Sequence, residues 1–571
     1  MQTKKATFYL TSMAIGILLS VFTCLTVQAQ IPSFPGAEGF GATTTGGRGG
    51  QVIYVTNLNC SGPGSLNDAL TVPGPKYILF TVSGIIDCAA EIIEGDCYLA
   101  GQTSPDGIIV RGIIADDYYT PSAHPDNIII RHMRSRSTGF HPCPNFATDP
   151  MIISGVRNMI VDHCSFSGSE DEAVDISRSL NLTLQNCILA ETVDSHYYLG
   201  GMLINYSSPG QIMDSISIHH NNWNRIGGRM PELSCEDPTG CTGATFHLEY
   251  SCNLLWDQQI AVYHNIDTDL SNGSEPGFVE PYYIDANMIN NYGISRVGYC
   301  DPMFLAPLLE TSQNDMYING NHHQTYPSWT DYQLFGCCND FCITGPNTDT
   351  GAANLLSSRH PYPLITYHNA VDLEDYMVNN VGAYPRFPHE IRLMAAIQNN
   401  VMDTTSLFTY AIDDLLLLPT FTNTPPTDTD FDGMPDYWEN NHGLNPNVAD
   451  PNATNLSMTI TGINGYTNLE CYLNCLADAL VNGCSPSCQI PIGIEKELNP
   501  IFKIYPNPVT DFALVELIKE TDEIIYAFDA LGKTVLTQKS TGIKTQINLQ
   551  NLPAGMYYIK VGNYTEPIVK Q

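Results

Sequence analysis

Basic residues are scarce in this sequence. Its 571 residues hold 24 Lys and Arg against 59 Asp and Glu, a formal net charge of -35. Non-specific nucleic-acid binding rests on neutralisation of phosphates by Lys and Arg, so this balance excludes it. Docking on anionic lipid is excluded on the same ground. Lys76 and Lys496 are the sole lysines between residues 30 and 500, whereas residues 501–571 hold seven Lys and seven acids. The acid excess therefore belongs to the body of the chain. Such a body attracts cations and repels an anionic polymer, unless bound metal or a local arginine cluster reverses the field. Long apolar runs are lacking after residue 29, so no later segment spans a bilayer. Helical periodicity is weak over residues 31–400, which argues against a leucine-rich-repeat horseshoe. No set of cysteines has zinc-site spacing.

Lys4 and Lys5 precede an apolar run from Phe8 to Val27, and Val27-Gln28-Ala29 fits a small-residue cleavage site. Residues 1–29 thus read as a secretory signal peptide, with Gln30 as the mature start; a retained anchor helix is the alternative. Of 18 Cys, Cys24 falls in the signal, so an odd seventeen remain and at least one thiol stays free or pairs between molecules. Export permits disulfides. The short spacings suggest local pairs Cys235/Cys241, Cys471/Cys475 and Cys484/Cys488, while Cys164 and Cys187 lie in alternating apolar segments and are expected to be buried.

Short apolar runs recur between Asn, Gly, Asp and Ser. Runs with the strand pattern begin at Asn127, Asn158, Asn181 and Ser215, which are 31, 23 and 34 residues apart, and others begin at Thr245 and Asp315. Repetition at this period marks the coils of a solenoid. The expected fold is all-β: a right-handed parallel β-helix over residues 30–420, with inward rows of Ile, Val, Leu and aromatics. A sandwich or propeller accounts less well for the repeated Asn-apolar-x-apolar segments. Residues 325–380 have weak repeat character and read as a loop excursion. Residues 421–490 read as a linker with a metal loop, and 497–571 as a small β-sandwich-like unit.

Three groups carry chemistry. Asp428, Asp430, Asp432, Met434, Asp436 and Glu439 follow the order of a calcium loop, with Gly433 at its tight turn and the Met434 carbonyl as one ligand. A solvated acidic turn is the alternative reading. Asp149, Asp171 and Asp175 converge on one face if they lie on adjacent coils. Asp171 and Asp175 are four residues apart, so within one strand both face the same side. Convergent carboxylates repel unless a cation or proton lies between them. Arg225 and Arg229 then follow a strand that ends near His220, in a body poor in basic groups. A guanidinium fork suits a carboxylate-bearing ligand, or a surface acid. His219 and His220 are expected to point to opposite faces.

With those residues in view, the sequence resembles the secreted bacterial pectate lyases of the parallel β-helix type. The resemblance covers roughly residues 31–400. It is carried by Phe34-Pro35-Gly36-Ala37-Glu38-Gly39-Phe40-Gly41, by Gly101-Gln102-Thr103-Ser104-Pro105, and by Val161-Asp162-His163-Cys164-Ser165-Phe166. Asp171 to Asp175, His219-His220 and Arg229-Met230-Pro231 complete it. It implies that Asp149, Asp171 and Asp175 hold a catalytic Ca2+ and that Arg229 abstracts the C5 proton of a galacturonate in a β-elimination. The lysine expected to meet the substrate carboxylate has no counterpart, and Ser234 stands where a further arginine is expected. His196, Arg178 and Arg225 are the candidates to replace them at the substrate. Ile504-Tyr505-Pro506-Asn507-Pro508 and Leu552-Pro553-Ala554-Gly555-Met556-Tyr557 resemble a type IX secretion sorting domain, which implies outer-membrane export and release or surface attachment. The expected partners are an acidic polysaccharide such as pectate and the secretion machinery, with the enzyme a monomer. Two rival functions remain on the residues alone. One is a glycoside hydrolase using Asp171, Glu172 and Asp175; the other is a polysaccharide-binding surface protein without turnover.

Overall fold

The structure is a computed structural model that describes residues 30–116, 125–139, 149–193, 200–206, 212–226, 228–235, 243–257, 263–264, 283–295, 303–305, 307–336, 345–403, 412–483, 502–517, 524–528, 534–553, 555–561 and 564–571. The signal segment, His196, Cys241, Cys484 and Cys488 lie outside these residues. The chain divides into two compact units, Met1–Cys488 and Gln489–Gln571.

The repeated Asn of the sequence has a backbone reason. Asn127, Asn158 and Asn181 adopt φ of 58°, 60° and 59°, and Ser215 adopts 60°. They enter or open the strands Ile128–Arg131, Arg157–Asp162, Leu180–Gln185 and Asp214–His219. Asn tolerates the left-handed region better than most side chains, because its short amide bonds locally. The apolar residues that follow pack well on a pleated surface.

Three parallel sheets result, of eleven, nine and seven strands among the described residues; we call them A, B and C. Sheet A runs from Gln51–Val55 to Asn354–Leu355, sheet B from Gly84–Ile86 to His322–His323, and sheet C from Ala90–Ile92 to Tyr263–His264. Each coil contributes one strand to each sheet in turn through the middle of the unit, which is the β-helix expected from the repeats. Inside, side chains stack in register along sheet A: Ile78, Leu99, Ile130, Val161, Leu184, Ile218, Tyr250 and Met288. All belong to one buried cluster. Burying each such aliphatic side chain contributes roughly 1.5–3 kcal/mol.

A ladder of buried asparagines runs along the corner between sheets A and B. Asn221, Asn253, Asn291 and Asn321 each donate from Nδ2 to a carbonyl of the preceding coil, those of Leu184, Ile218, Tyr250 and Met288, at 2.8–2.9 Å. Each Oδ1 accepts a backbone N–H from that same coil, at 2.9, 3.1, 3.0 and 3.0 Å. The corner amides, which no strand partner reaches, are thereby satisfied.

The outer face of sheet A is covered in three stretches. Its first strands present Tyr77, Leu79, Tyr98, Ile129 and Ile160, on which Met434, Trp438, Leu469, Tyr472 and Leu473 pack. The segment read as a linker and metal loop is therefore part of the first unit's core. Its longest helix, Asn468–Asn482, starts at a capping box between Thr467 and Glu470 and stops at left-handed Gly483. Farther along, the outward row turns polar. The Gly41 and Phe40 amides donate to Thr183 Oγ1 (2.9 Å) and Ser217 Oγ (3.0 Å). Gly41 allows this approach, since a Cβ there would lie 2.1 Å from the Met159 carbonyl oxygen. Beyond that, the His360 amide donates to Asn287 Oδ1 at 2.8 Å, so part of the excursion at 325–380 lies against the sheet. Sheet B is covered by Leu373–Asn380 and Pro388–Gln398, whose Leu373, Met377, Leu393 and Ile397 meet Ile188, Leu254 and Trp256.

The cysteines correct one expected pair. Cys471 is free and buried while Cys475 is disulfide-bonded, so the two do not pair; four residues apart on a helix, they stand one turn along it. Cys60 and Cys88 form a disulfide that spacing did not reveal. Cys164 and Cys187 are free and buried, as expected. No helix of the described residues is long and apolar enough to cross a membrane.

Among its described residues the second unit holds two antiparallel sheets, one of three and one of four strands, around its own core of Val515, Ile525, Ile547 and Ile559 among others. This is the small β-sandwich expected at that end of the chain.

Candidate functional site

Sheet C places the first acidic group. Its outward row reads Glu91, Ile114, Ile152, Asp175, Leu203 and Glu232 in register. Asp149 lies just before the strand Met151–Ser154, and Asp171 just before Val174–Ser177. Asp171 thus stands in the approach to the strand and only Asp175 within it, so the same-face argument from strand spacing does not apply to the pair. Proximity comes instead from neighbouring coils. Asp149, Asp171 and Glu172 bring one oxygen each within 4.8 Å of one another, enough to hold a divalent cation. Asp175 joins them electrostatically. Burial first, then the charges of Asp175 and Asp171, push the Asp149 carboxyl well above the usual carboxylate range, partly offset by Arg229. Asp149 Oδ1 is buried without a hydrogen-bond partner, a setting that suits a cation.

Arg229 sits at the entry to the strand Glu232–Cys235, two coils on from Val174–Ser177, with φ of 55°. Its carbonyl accepts from the Met202 amide at 2.5 Å, which fixes its backbone to the coil below. Its guanidinium pairs with Glu172 through Nη1 and with Glu232 through Nε, the latter at 2.5 Å. The sequence offers Glu172 only as a hydrolytic acid and does not single out Glu232. The available signals were the adjacency of Glu172 to Asp171 and the three-residue spacing of Glu232 from Arg229.

The other substrate candidates separate. Arg178 follows Val174–Ser177 at the opposite end of the strand from Asp171, where Nη2 bonds Ser154 Oγ and, at 3.3 Å, Asp116 Oδ1. Arg225 follows a strand of sheet B and is 3% exposed. Its Nη1 reaches Glu191 Oε1 at 2.6 Å and Asp403 Oδ2 at 3.0 Å, and Arg392 binds the same Glu191 at 2.7 Å. That guanidinium is consumed by a buried ion network and does not join the Asp149 group. His196 falls outside the described residues. His219 and His220 do not diverge: His220 turns at φ 57°, and the two Nδ1 atoms meet at 2.8 Å. Burial pushes His219 down to about 4.

The second acidic group is the 428–439 loop. Asp428, Asp430 and Asp432 bring oxygens within 4.8 Å of one another. Gly433 takes φ of 97° and its amide donates to Asp428 Oδ2 at 3.0 Å; the Met434 amide donates to Asp432 Oδ1 at 3.0 Å. Asp428 Oδ1, both oxygens of Asp430 and both of Glu439 are buried without a partner. Burial and the charges of Asp432, Asp430 and Asp428 push Glu439 up to about 8. An all-oxygen set with orphaned carboxylates fits a hard cation.

With this geometry in hand, the chain can be compared with known proteins. Residues 503–571 match the family model of the secretion system C-terminal sorting domain. The chain is 29% identical over 468 residues to the probable pectate lyase C of Aspergillus flavus, covering 80% of this chain and 97% of that one. It is likewise 29% identical over 483 residues to the protein of that name from Aspergillus terreus, covering 81% and 99%. It is 24% identical over 307 residues to pectate lyase 4 of Ambrosia artemisiifolia, covering 50% and 70%. Among solved structures, a pectate lyase bound to hexasaccharide is 14% identical with a TM-score of 0.36, over 62% of this chain and 99% of that one. The first unit is thus a pectate-lyase-like fold of parallel sheets, and the second carries a type IX secretion sorting domain that marks the protein for export.

Proposed function

We propose that the protein is a calcium-dependent lyase that cleaves (1→4)-α-D-galacturonan by β-elimination. The observation that carries this reading is the meeting of Asp149, Asp171 and Glu172 beside Arg229 at the strand entries of sheet C. The sequence likeness to proteins named pectate lyases supports it. So does the charge of the body, since an acidic protein binds a polyanion well only through divalent ions or local arginines.

Asp149, Asp171 and Asp175, with Glu172 beside them, are the residues that would hold Ca2+. The ion supplies neutralisation of the substrate carboxylate and stabilises negative charge as the C5 proton leaves. Glu172 and Glu232 pair with the Arg229 guanidinium, and an arginine does not serve as the base because it stays protonated in proteins. Arg229 therefore acts on C5 through a hydroxide or water that it orients. The hydroxide or water takes the C5 proton, the C5–H electron pair becomes the C4=C5 double bond, the C4–O4 bond breaks, and the departing oxygen takes a proton from water. Arg178 stands at the other end of the Val174–Ser177 strand, bonded to Ser154 and Asp116, and takes no part in this step.

The test is ultraviolet absorbance of the 4,5-unsaturated product on polygalacturonate, first with calcium and then with a chelator. A rise that stops on chelation is the expected result. New reducing ends without absorbance would replace elimination by hydrolysis, and neither signal would leave a binding protein.

A further inference from the structure

The 428–482 region holds features that the proposed reaction does not use. Glu439 is 0% exposed, and neither of its carboxylate oxygens has a partner. Burying a carboxylate in that state is strongly unfavourable unless a cation compensates it. Its neighbours Asp428, Asp430 and Asp432 lie on the same seam, where Met434, Trp438 and Tyr472 pack against Tyr77, Leu79 and Tyr98 of sheet A.

Polar ties cross that seam from both sides. The Tyr54 hydroxyl, on the strand Gln51–Val55, donates to Asp428 Oδ2. Asp432 Oδ2 accepts the Asp450 amide at 2.9 Å, and Asp450 Oδ1 accepts from Asn468, the first residue of the long helix, at 3.2 Å. The loop carboxylates are therefore tied to sheet A at one end and to the helical layer at the other. Asp436 stands apart: its two oxygens accept from the Thr429 amide and hydroxyl, at 2.8 and 2.7 Å.

We propose that calcium held by Asp428, Asp430, Asp432, the Met434 carbonyl and Glu439 fastens the helices of residues 436–482 to the outer face of sheet A, a structural role separate from the acids of sheet C. Asp436 shapes the loop through Thr429 and is not a direct ligand. This role does not depend on the lyase reading, because a chain inactive on pectate would still show it.

The experiment is hydrogen exchange by mass spectrometry on the full mature chain, with calcium chloride or with chelator. Calcium at 100 times its dissociation constant should slow exchange in 428–482 by about 100-fold, where opening releases the ion. Glu439→Gln should lose that protection. Asp430→Asn should lose it too; that side chain is only half-buried and nearly keeps its shape on substitution, so folding is not in question. Asp171→Asn, in the sheet C group, should keep it. Full protection in Asp430→Asn, its loss in Asp171→Asn, or no calcium effect in the parent would each overturn the proposal.

Discussion

The two acidic groups differ in what surrounds them. On sheet C, Asp149, Asp171 and Glu172 gather at strand entries, and an arginine sits against one of them. In the 428–439 loop, backbone amides brace Asp428 and Asp432, a tyrosine caps the set, and a fully buried glutamate closes it. No Arg or Lys is paired with the loop carboxylates among the described residues. A group that must bind and release an anionic substrate needs a cation-holding face with a movable positive partner. A group that only holds structure together gains from closure. Oxygen count alone does not tell the two apart; the neighbouring charge and the buried backbone contacts do.

The sharpest break between them is Arg229→Ala. It should lower turnover of polygalacturonate by roughly a thousandfold, the upper end for removal of one positioned donor at a reacting centre, while the calcium dependence of melting stays intact. Absorbance assays and melting curves on the same preparation check both halves. Next comes Arg225→Gln, which leaves Glu191 with one fewer partner in a buried network. It should cost about 3 kcal/mol of stability in denaturant unfolding, with KM for polygalacturonate unchanged, as expected of an arginine outside the site. Asp171→Asn is milder. It should raise the calcium concentration for half-maximal activity by about tenfold, worth about 1.4 kcal/mol, and leave the melting shift alone. The smallest effect is that of Tyr54→Phe. Loss of its hydroxyl from Asp428 should weaken the calcium-dependent melting shift by about 1 kcal/mol, with activity at saturating calcium unaltered.

Much of this was legible in the sequence, for reasons particular residues show. Alternating runs gave the coils away because inward Ile130, Val161 and Leu184 must repeat to bury one another. The Asn that starts the runs at 127, 158 and 181 is visible as a pattern, and its cause, a left-handed φ, emerges only from the backbone. The acidic loop reads directly because Asp428, Asp430 and Asp432 fall within one short stretch of chain. The sheet C group reads less completely, since Glu172 meets Arg229 across coils whose spacing varies. Arg225 and Arg229 look alike at four residues apart, yet the chain turns from sheet B to sheet C between them. The docking of 436–482 on sheet A could not be read at all, because Tyr77 and Tyr98 face outward in a pattern that also suits a solvated sheet.

The asparagine ladder has a consequence for how such a chain can change. Its rungs join residues 34, 32, 38 and 30 positions apart, and the bonds are the same at each step. The ladder reads which coil comes next and is indifferent to how far the chain wanders before returning. Loops between rungs are thus free to lengthen, shorten or be exchanged without resetting the register of the strands. Variation in what the surface recognises is uncoupled from inheritance of the scaffold, and the amide at each corner is the joint where the two separate.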